Sequence, residues 1–119
     1  MAEKKTRVLI VGSQGRLAGS LLKCWSKSHK VTGLARPALD VSDLNSLPRI
    51  LGDLEFDVLV NGTGLTNVDR CESAREEAHI VNALAPGVLA KCASQQGARL
   101  VHFSTDYVFD GKKRDAYSE

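Results

Sequence analysis

Residues 7–18 read R-V-L-I-V-G-S-Q-G-R-L-A, and the fold follows from how that stretch is parsed. Val8, Leu9, Ile10 and Val11 form an unbroken apolar run, as a parallel strand buried on both faces requires. Gly12 and Gly15 follow at once, and an amphipathic helical pattern opens near Arg16. Strand, glycine turn and helix in that order open a dinucleotide-binding βαβ unit. Gly12 and Gly15 can take backbone angles that a Cβ resists, and they let the chain approach a pyrophosphate closely. The helix that follows presents unpaired N–H groups and a positive dipole end to the phosphates. Taken alone, the motif has a plain alternative: a glycine turn in an α/β core with no nucleotide.

The rest of the chain extends this unit. The first helix is expected over about Gly15–Ser28, with Leu17, Leu21 and Trp25 on one stripe and Ala18 and Leu22 beside it. Ala18 stands at the third small position, so the spacing is G-x-x-G-x-x-A, and a small residue there lets helix and strand pack closely. A second strand spans about Lys30–Leu34 and leads into L-A-R-P. Sites that prefer NAD carry an acid near this point to accept from the adenosine ribose. Here Arg36 stands instead, suited to a 2′-phosphate, so NADP(H) is favoured, with NAD(H) the alternative. The plain alternative for Arg36 is a solvated loop side chain. Ser42 or Asp43 is expected to cap a helix through about Gly52, with Leu44, Leu47, Ile50 and Leu51 inward. Pro48 makes that helix short, or late to start with Pro48 in its first turn.

The third strand, Asp57–Asn61, ends in Asn61-Gly62-Thr63-Gly64, a turn at the carboxyl edge where open α/β sheets bind ligands. A long helix is expected over Arg75–Gln95, with Ala78, Val81, Ala85, Val88, Leu89 and Cys92 buried, a kink at Pro86 and Gly97 as its stop. The fourth strand covers about Ala98–Phe103. The succession β-α-β-α-β-α-β implies an α/β, Rossmann-type parallel sheet with right-handed crossovers and helices on both faces. The expected strand order is 3-2-1-4, truncated after the fourth main strand. The glycine loop and the Ser104-Thr105 turn would then face each other across one crevice.

Composition narrows the function classes. The 119 residues are 43% hydrophobic and 25% charged, ordinary for one soluble domain with a real core. A net charge of +2 argues for neither nucleic acid nor an anionic membrane as partner. No stretch approaches the ~20 apolar residues of a membrane span, and a charged start leading into a strand is not a signal peptide. Cys24, Cys71 and Cys92 lack C-x-x-C spacing and read as reduced thiols of a cytoplasmic protein, with no metal site. His102 is expected to alternate to the far side of the fourth strand.

The run Ser104–Gly111, S-T-D-Y-V-F-D-G, resembles the dTDP-4-dehydrorhamnose reductases of the extended short-chain dehydrogenase/reductase superfamily. Four other segments agree in order and spacing: G-S-Q-G-R-L-A-G, L-D-V-S-D, V-L-V-N-G-T-G-L-T-N-V-D-R-C-E and V-N-A-L-A-P-G-V-L-A. The same branch includes the regulatory subunit of methionine adenosyltransferase. Two positions depart from the family's pattern: Ala18 replaces the usual third glycine, and Asn61-Gly62-Thr63 stands where Asn-Ala-Ala is usual.

The resemblance implies reduction of the 4-keto group of a dTDP-linked 6-deoxyhexulose with NADH or NADPH, giving dTDP-L-rhamnose. It implies that Gly12, Gly15, Arg16 and Leu17 border the pyrophosphate, and that Asp40 and Val41 sit near the adenine. Gly64, Leu65 and Thr66 would line the nicotinamide side, with Phe103 close by. Thr105 matches the hydroxyl residue of the catalytic set and Asp106 a substrate-contacting position; the plain alternatives are a strand-end cap and a turn residue. The family's general acid is a Tyr with a Lys four positions on, and neither Tyr107 nor Tyr117 has that partner. Residues 1–119 are therefore expected to be the N-terminal NAD(P)-binding domain of a longer reductase, inactive alone, leaving apolar surface exposed beyond the fourth strand. A homodimer is allowed for the intact protein. The alternative is a non-catalytic, NADP-binding regulatory module.

Overall fold

Alternating side chains on the first strand feed two separate cores, and the rest of the fold is built on them. The computed structural model describes residues 3–119; Met1 and Ala2, the start of the polar lead-in, lie outside those residues. Strands β1 (Arg7–Val11), β2 (Lys30–Leu34), β3 (Val58–Asn61) and β4 (Arg99–His102) form one parallel sheet, each bounded within a residue of the sequence reading. Helices α1 (Arg16–Trp25), α2 (Ser46–Gly52), α3 (Val68–Ser73), α4 (Arg75–His79) and α5 (Ala85–Gln95) connect them. Val8 and Ile10 pack with Ala18, Val60, Leu21 and Trp25 on the α1 face. Leu9 and Val11 pack with Leu47, Leu51, Leu59 and Leu89 on the opposite face, beneath α2 and α5.

The strand order is β2-β1-β3-β4, which corrects the expected 3-2-1-4. Handedness supplies the reason. A right-handed crossover over one face of a sheet steps the chain one way, and over the other face the opposite way. Helix α1 covers one face and carries the chain outward to β2. Helix α2 covers the other face, so the next step reverses, passes β1 and places β3 on its far side. Helix α5 stays on that second face, and β4 adds beyond β3. The order 3-2-1-4 would need α2 on the face of α1. The consequence is local: the turn after β3, not the one after β4, lies beside the glycine loop.

Three helix expectations are sharpened. Helix α2 starts late, at Ser46, with Pro48 in its first turn; neither Ser42 nor Asp43 is its side-chain cap. Ser42 instead donates its N–H and Oγ–H to Asp40 Oδ1, at 2.9 and 2.7 Å. The predicted long helix is α4, a π-helical turn at Ile80–Leu84, and α5. Pro86 has no N–H to return to Asn82, and the Ala85 N–H bonds Ile80 O, one residue further back than in an α-helix. Leu17 is 51% exposed and leaves the buried stripe of α1 to Ala18, Leu21, Leu22 and Trp25. The expected core positions Ala85, Leu89 and Cys92 are buried, and desolvation raises the Cys92 thiol pKa.

The amino edge of the sheet is tied by one arginine. Arg7 donates its backbone N–H to Asp57 Oδ2 at 2.8 Å and its Nη2 to Oδ1 at 2.9 Å, and its Nη1 reaches Glu55 at 2.9 Å. These bonds hold the Asp57 carboxyl down at about 2. Past β4 the chain runs over the surface, leaving Phe103, Tyr107, Val108 and Phe109 exposed.

Candidate dinucleotide site

The carboxyl edge gathers the glycine loop, the β3 turn and the β4 turn in that order. Gly12 sits at φ +75°, a backbone region that disfavours a Cβ. A Cβ there would also lie 2.8 Å from Thr63 Cγ2 and 3.0 Å from the Gly62 carbonyl carbon. The loop is pinned from the other side by Leu34 O, which accepts from the N–H groups of Gly12 and Ser13 at 2.8 and 3.2 Å. Gly15 donates to Gly12 O at 3.0 Å and then starts α1 as its N-cap. No side chain among the described residues caps α1, and its first turn holds no acid. Its leading N–H groups and dipole are therefore available to an anion.

The contact between Ala18 and Gly62 sets how closely α1 approaches β3. Ala18 is 2% exposed, and a Cβ on Gly62 would lie 2.7 Å from its methyl. The two departures from the resembled family's pattern are thus one exchange. The methyl expected at the β3 turn sits on the helix, and the glycine expected on the helix sits at the turn.

Asn61 and Asn82, to which the sequence reading assigned no role, organise the β3 turn. Asn61 is 1% exposed. Its Oδ1 accepts from the N–H of Thr63 at 3.0 Å and from Thr63 Oγ1, and its Nδ2 meets His102 Nδ1 at 3.1 Å. His102 therefore points to Asn61 rather than away from the site edge. Asn82, in the π turn, clamps the backbone of one residue through both of its polar groups: its Oδ1 accepts from Leu65 N at 2.8 Å and its Nδ2 donates to Leu65 O at 3.0 Å. Cys71 Sγ adds a third contact, to Leu65 O. A polar residue inside a long apolar helical pattern just before Pro86 was the available signal for Asn82.

The other candidate residues divide by distance from this centre. Arg16 and Leu17 lie exposed on the first turn of α1. Arg36 is exposed beyond β2, near enough to Asp40 that its charge, after the two Ser42 hydrogen bonds, helps lower the Asp40 pKa. Val41 is buried in the α2 side of the core, so its side chain is structural. Gly64 and Thr66 flank the clamped Leu65 and are exposed. Phe103, Thr105 and Asp106 follow β4, one strand further from the glycine loop than expected. Thr105 Oγ1 donates to Asp106 Oδ1 at 3.2 Å and accepts from Tyr107 N at 3.3 Å, capping a one-turn 3-10 helix at Asp106–Val108.

The fold is a Rossmann-type α/β unit, and this edge is its candidate dinucleotide site. The chain belongs to the RmlD substrate binding domain family, whose model matches residues 6–119. It is 39% identical over 113 residues to a dTDP-4-dehydrorhamnose reductase of Burkholderia thailandensis, covering 95% of this chain and 38% of that protein. It is 32% identical to the Bacillus subtilis spore coat polysaccharide biosynthesis protein SpsK, covering 96% of this chain and 41% of that one. It superposes with a TM-score of 0.88 and 26% identity on a Bacillus anthracis dTDP-4-dehydrorhamnose reductase solved in complex with NADP, covering 96% of this chain and 41% of that structure. The chain thus spans about two fifths of the length of these relatives. Among the described residues no helix is long and apolar enough to cross a membrane.

Proposed function

We propose that residues 1–119 are the N-terminal dinucleotide-binding part of a longer, cytoplasmic, NADPH-dependent reductase. Its substrate in this reading is a dTDP-linked 6-deoxyhexulose, reduced at the 4-keto group toward dTDP-L-rhamnose. The observation that carries the reading is the cradle of Gly12, Gly62 and Ala18 beside the uncapped first turn of α1. A Cβ on Gly12 would collide with the Gly62–Thr63 turn, so the loop keeps a bare backbone beside the helix start, and the first turn of α1 holds no acid to repel a phosphate.

In this reading Gly12, Gly15, Arg16 and Leu17 hold the pyrophosphate, and Arg36 meets the 2′-phosphate. Asp40 and the Val41 backbone border the adenine. Gly64, Leu65 and Thr66 line the nicotinamide, with Phe103 at its side. When bound, the nicotinamide supplies a hydride for the sugar carbonyl. Thr105 turns its hydroxyl proton from Asp106 Oδ1 to the carbonyl oxygen, and Asp106 is left to accept from the sugar. The proton for the resulting alkoxide is assigned to a Tyr-x-x-x-Lys pair in the remainder of the longer protein.

Calorimetric titration of the intact protein with NADPH and NADH tests the cofactor reading. NADPH is expected to bind the more tightly, and Arg36→Ala to weaken NADPH about tenfold while leaving NADH unchanged, the loss of roughly one charge-assisted contact. An Arg36→Ala variant with unchanged NADPH affinity overturns the role of Arg36. Absence of binding by either cofactor overturns the reading. NADPH binding without turnover of the sugar nucleotide leaves the non-catalytic module.

A further inference from the structure

Among the described residues Asn61 is the one fully buried polar side chain at the carboxyl edge, and its two ends face different elements. Its orientation is not free. The Thr63 backbone N–H can only donate, so the atom 3.0 Å from it must be Asn61 Oδ1. The amide nitrogen is then turned to His102 Nδ1 at 3.1 Å, and that ring nitrogen must accept. Only a neutral imidazole with its proton on Nε2 satisfies the pair. A second proton on His102 would set N–H against N–H, and flipping Asn61 would move the same conflict to Thr63.

What Asn61 holds is the turn that seats on the glycine loop, since Thr63 Cγ2 lies 2.8 Å from where a Gly12 Cβ would stand. We infer that Asn61 and His102 are positioning residues that couple the protonation state of His102 to the seating of the Gly62–Thr63 turn, so that dinucleotide affinity falls when His102 takes a second proton. This inference rests on the proposed dinucleotide site.

The groups packed around His102 leave the coupling to this pair. β3 itself carries no titratable side chain, and Asp57, the residue before it, lies at the opposite edge paired to Arg7. On α5 they are Lys91 and Cys92, in its C-terminal half, and the π turn at Ile80–Leu84 has none. The segment after β4 brings Asp106, engaged by Thr105. His102 is exposed, so its ring can be replaced without opening a core.

The test is cofactor affinity against pH in the intact protein, for wild type, His102→Asn and Asn61→Asp. His102→Asn offers an amide oxygen in place of Nδ1 and does not titrate. Asn61→Asp keeps the acceptor for Thr63 but presents a carboxylate to the ring, which then favours the protonated imidazole. Relative to His102→Asn, wild type should lose about three- to tenfold in affinity on the acid side, the scale of one hydrogen bond. Asn61→Asp should show the opposite slope. The NADPH 2′-phosphate also gains a proton near pH ~6, so NADH, which lacks it, is titrated in parallel and should give the same wild-type-to-variant difference. Nitrogen-15 spectra of His102 should show the Nε2-protonated tautomer, a readout that stands even if Asn61→Asp does not fold. Identical profiles for wild type and His102→Asn, or the Nδ1-protonated tautomer, overturn the coupling while the cofactor reading stands. Failure of either cofactor to bind wild type at any pH overturns both.

Discussion

The exchange of a methyl between Ala18 and Gly62 makes a quantitative prediction. Replacing Gly62 with Ala puts a Cβ 2.7 Å from the Ala18 methyl and 3.0 Å from Val11 O. Neither neighbour is the far end of a flexible side chain, so the helix or the turn must move. Overpacking of this kind destabilises by about 1–3 kcal/mol. Replacing Ala18 with Gly removes a buried methyl, worth about 0.8 kcal/mol, and places glycine in a helix at up to about 1 kcal/mol. In the double variant the new methyl occupies the space the old one left, so the collision with residue 18 disappears while the Val11 contact and the helix glycine remain. The double variant should therefore be more stable than the sum of the singles by about 1–2 kcal/mol, well above the additivity error of roughly 0.5 kcal/mol. Urea denaturation of the four proteins measures this, and NADPH titration reads the site: Gly62→Ala alone should weaken binding and the pair should restore most of it. Additive stabilities would refute the contact, and a Gly62→Ala protein of unchanged stability would refute the geometry of the β3 turn.

Two further perturbations address the turn and the amino edge. Asn82→Ala leaves Leu65 N–H and C=O without their clamp, which should destabilise by about 1–3 kcal/mol and weaken cofactor binding, whereas Asn82→Asp, which keeps the acceptor for Leu65 N, should lose less. Comparing both variants by denaturation and calorimetry checks it, and an Asn82→Ala protein with wild-type cofactor affinity would remove the clamp from the site. Asp57 is held at about 2, below its ordinary value of 3.8, chiefly by its hydrogen bonds to Arg7. A depressed folded-state pKa contributes stability that is fully present above the unfolded value and lost as pH falls through the folded one. Wild type should therefore lose stability relative to Asp57→Asn between about pH 4 and pH 2 and show a constant difference above about pH 5, as urea midpoints across that range would record.

The strands were legible because a strand buried on both faces leaves an apolar run that needs no partner to be recognised. Val8–Val11 and Val58–Val60 are of that kind, Leu100–Val101 is a shorter, half-buried run, and each fell within a residue of its place. Their order was not legible from the same runs. Which face α2 takes depends on Leu47 and Leu51 meeting α5, a contact between segments some forty residues apart that no local period encodes. Once that face is known, handedness alone yields β2-β1-β3-β4. Strand order is thus decided by a helix, and a reading that assigns strands first and helix faces second meets its least determined step where the fold is most consequential.

The site divides along the same line. Gly12 and Ala18 were legible because a glycine turn after a strand has a local geometric cause, and the structure supplies it in the positive φ of Gly12 and the burial of Ala18. Asn61, Asn82 and His102 were not, because each acts on a backbone group or side chain distant in sequence: Asn82 on Leu65, His102 on Asn61. Leu17 departs from the stripe expected of it for a related reason. Helical periodicity places it on the stripe with Leu21, but in the first turn of α1 it is Ala18 that meets the sheet, and Leu17 is left half exposed. These residues share one consequence. The glycine loop does not hold its own shape; Leu34 O restrains it on one side, and Thr63, itself held by Asn61, closes on the other. A substitution at Asn61 should therefore disturb the loop as directly as one within it, although nothing in the G-x-x-G-x-x-A spacing names that residue.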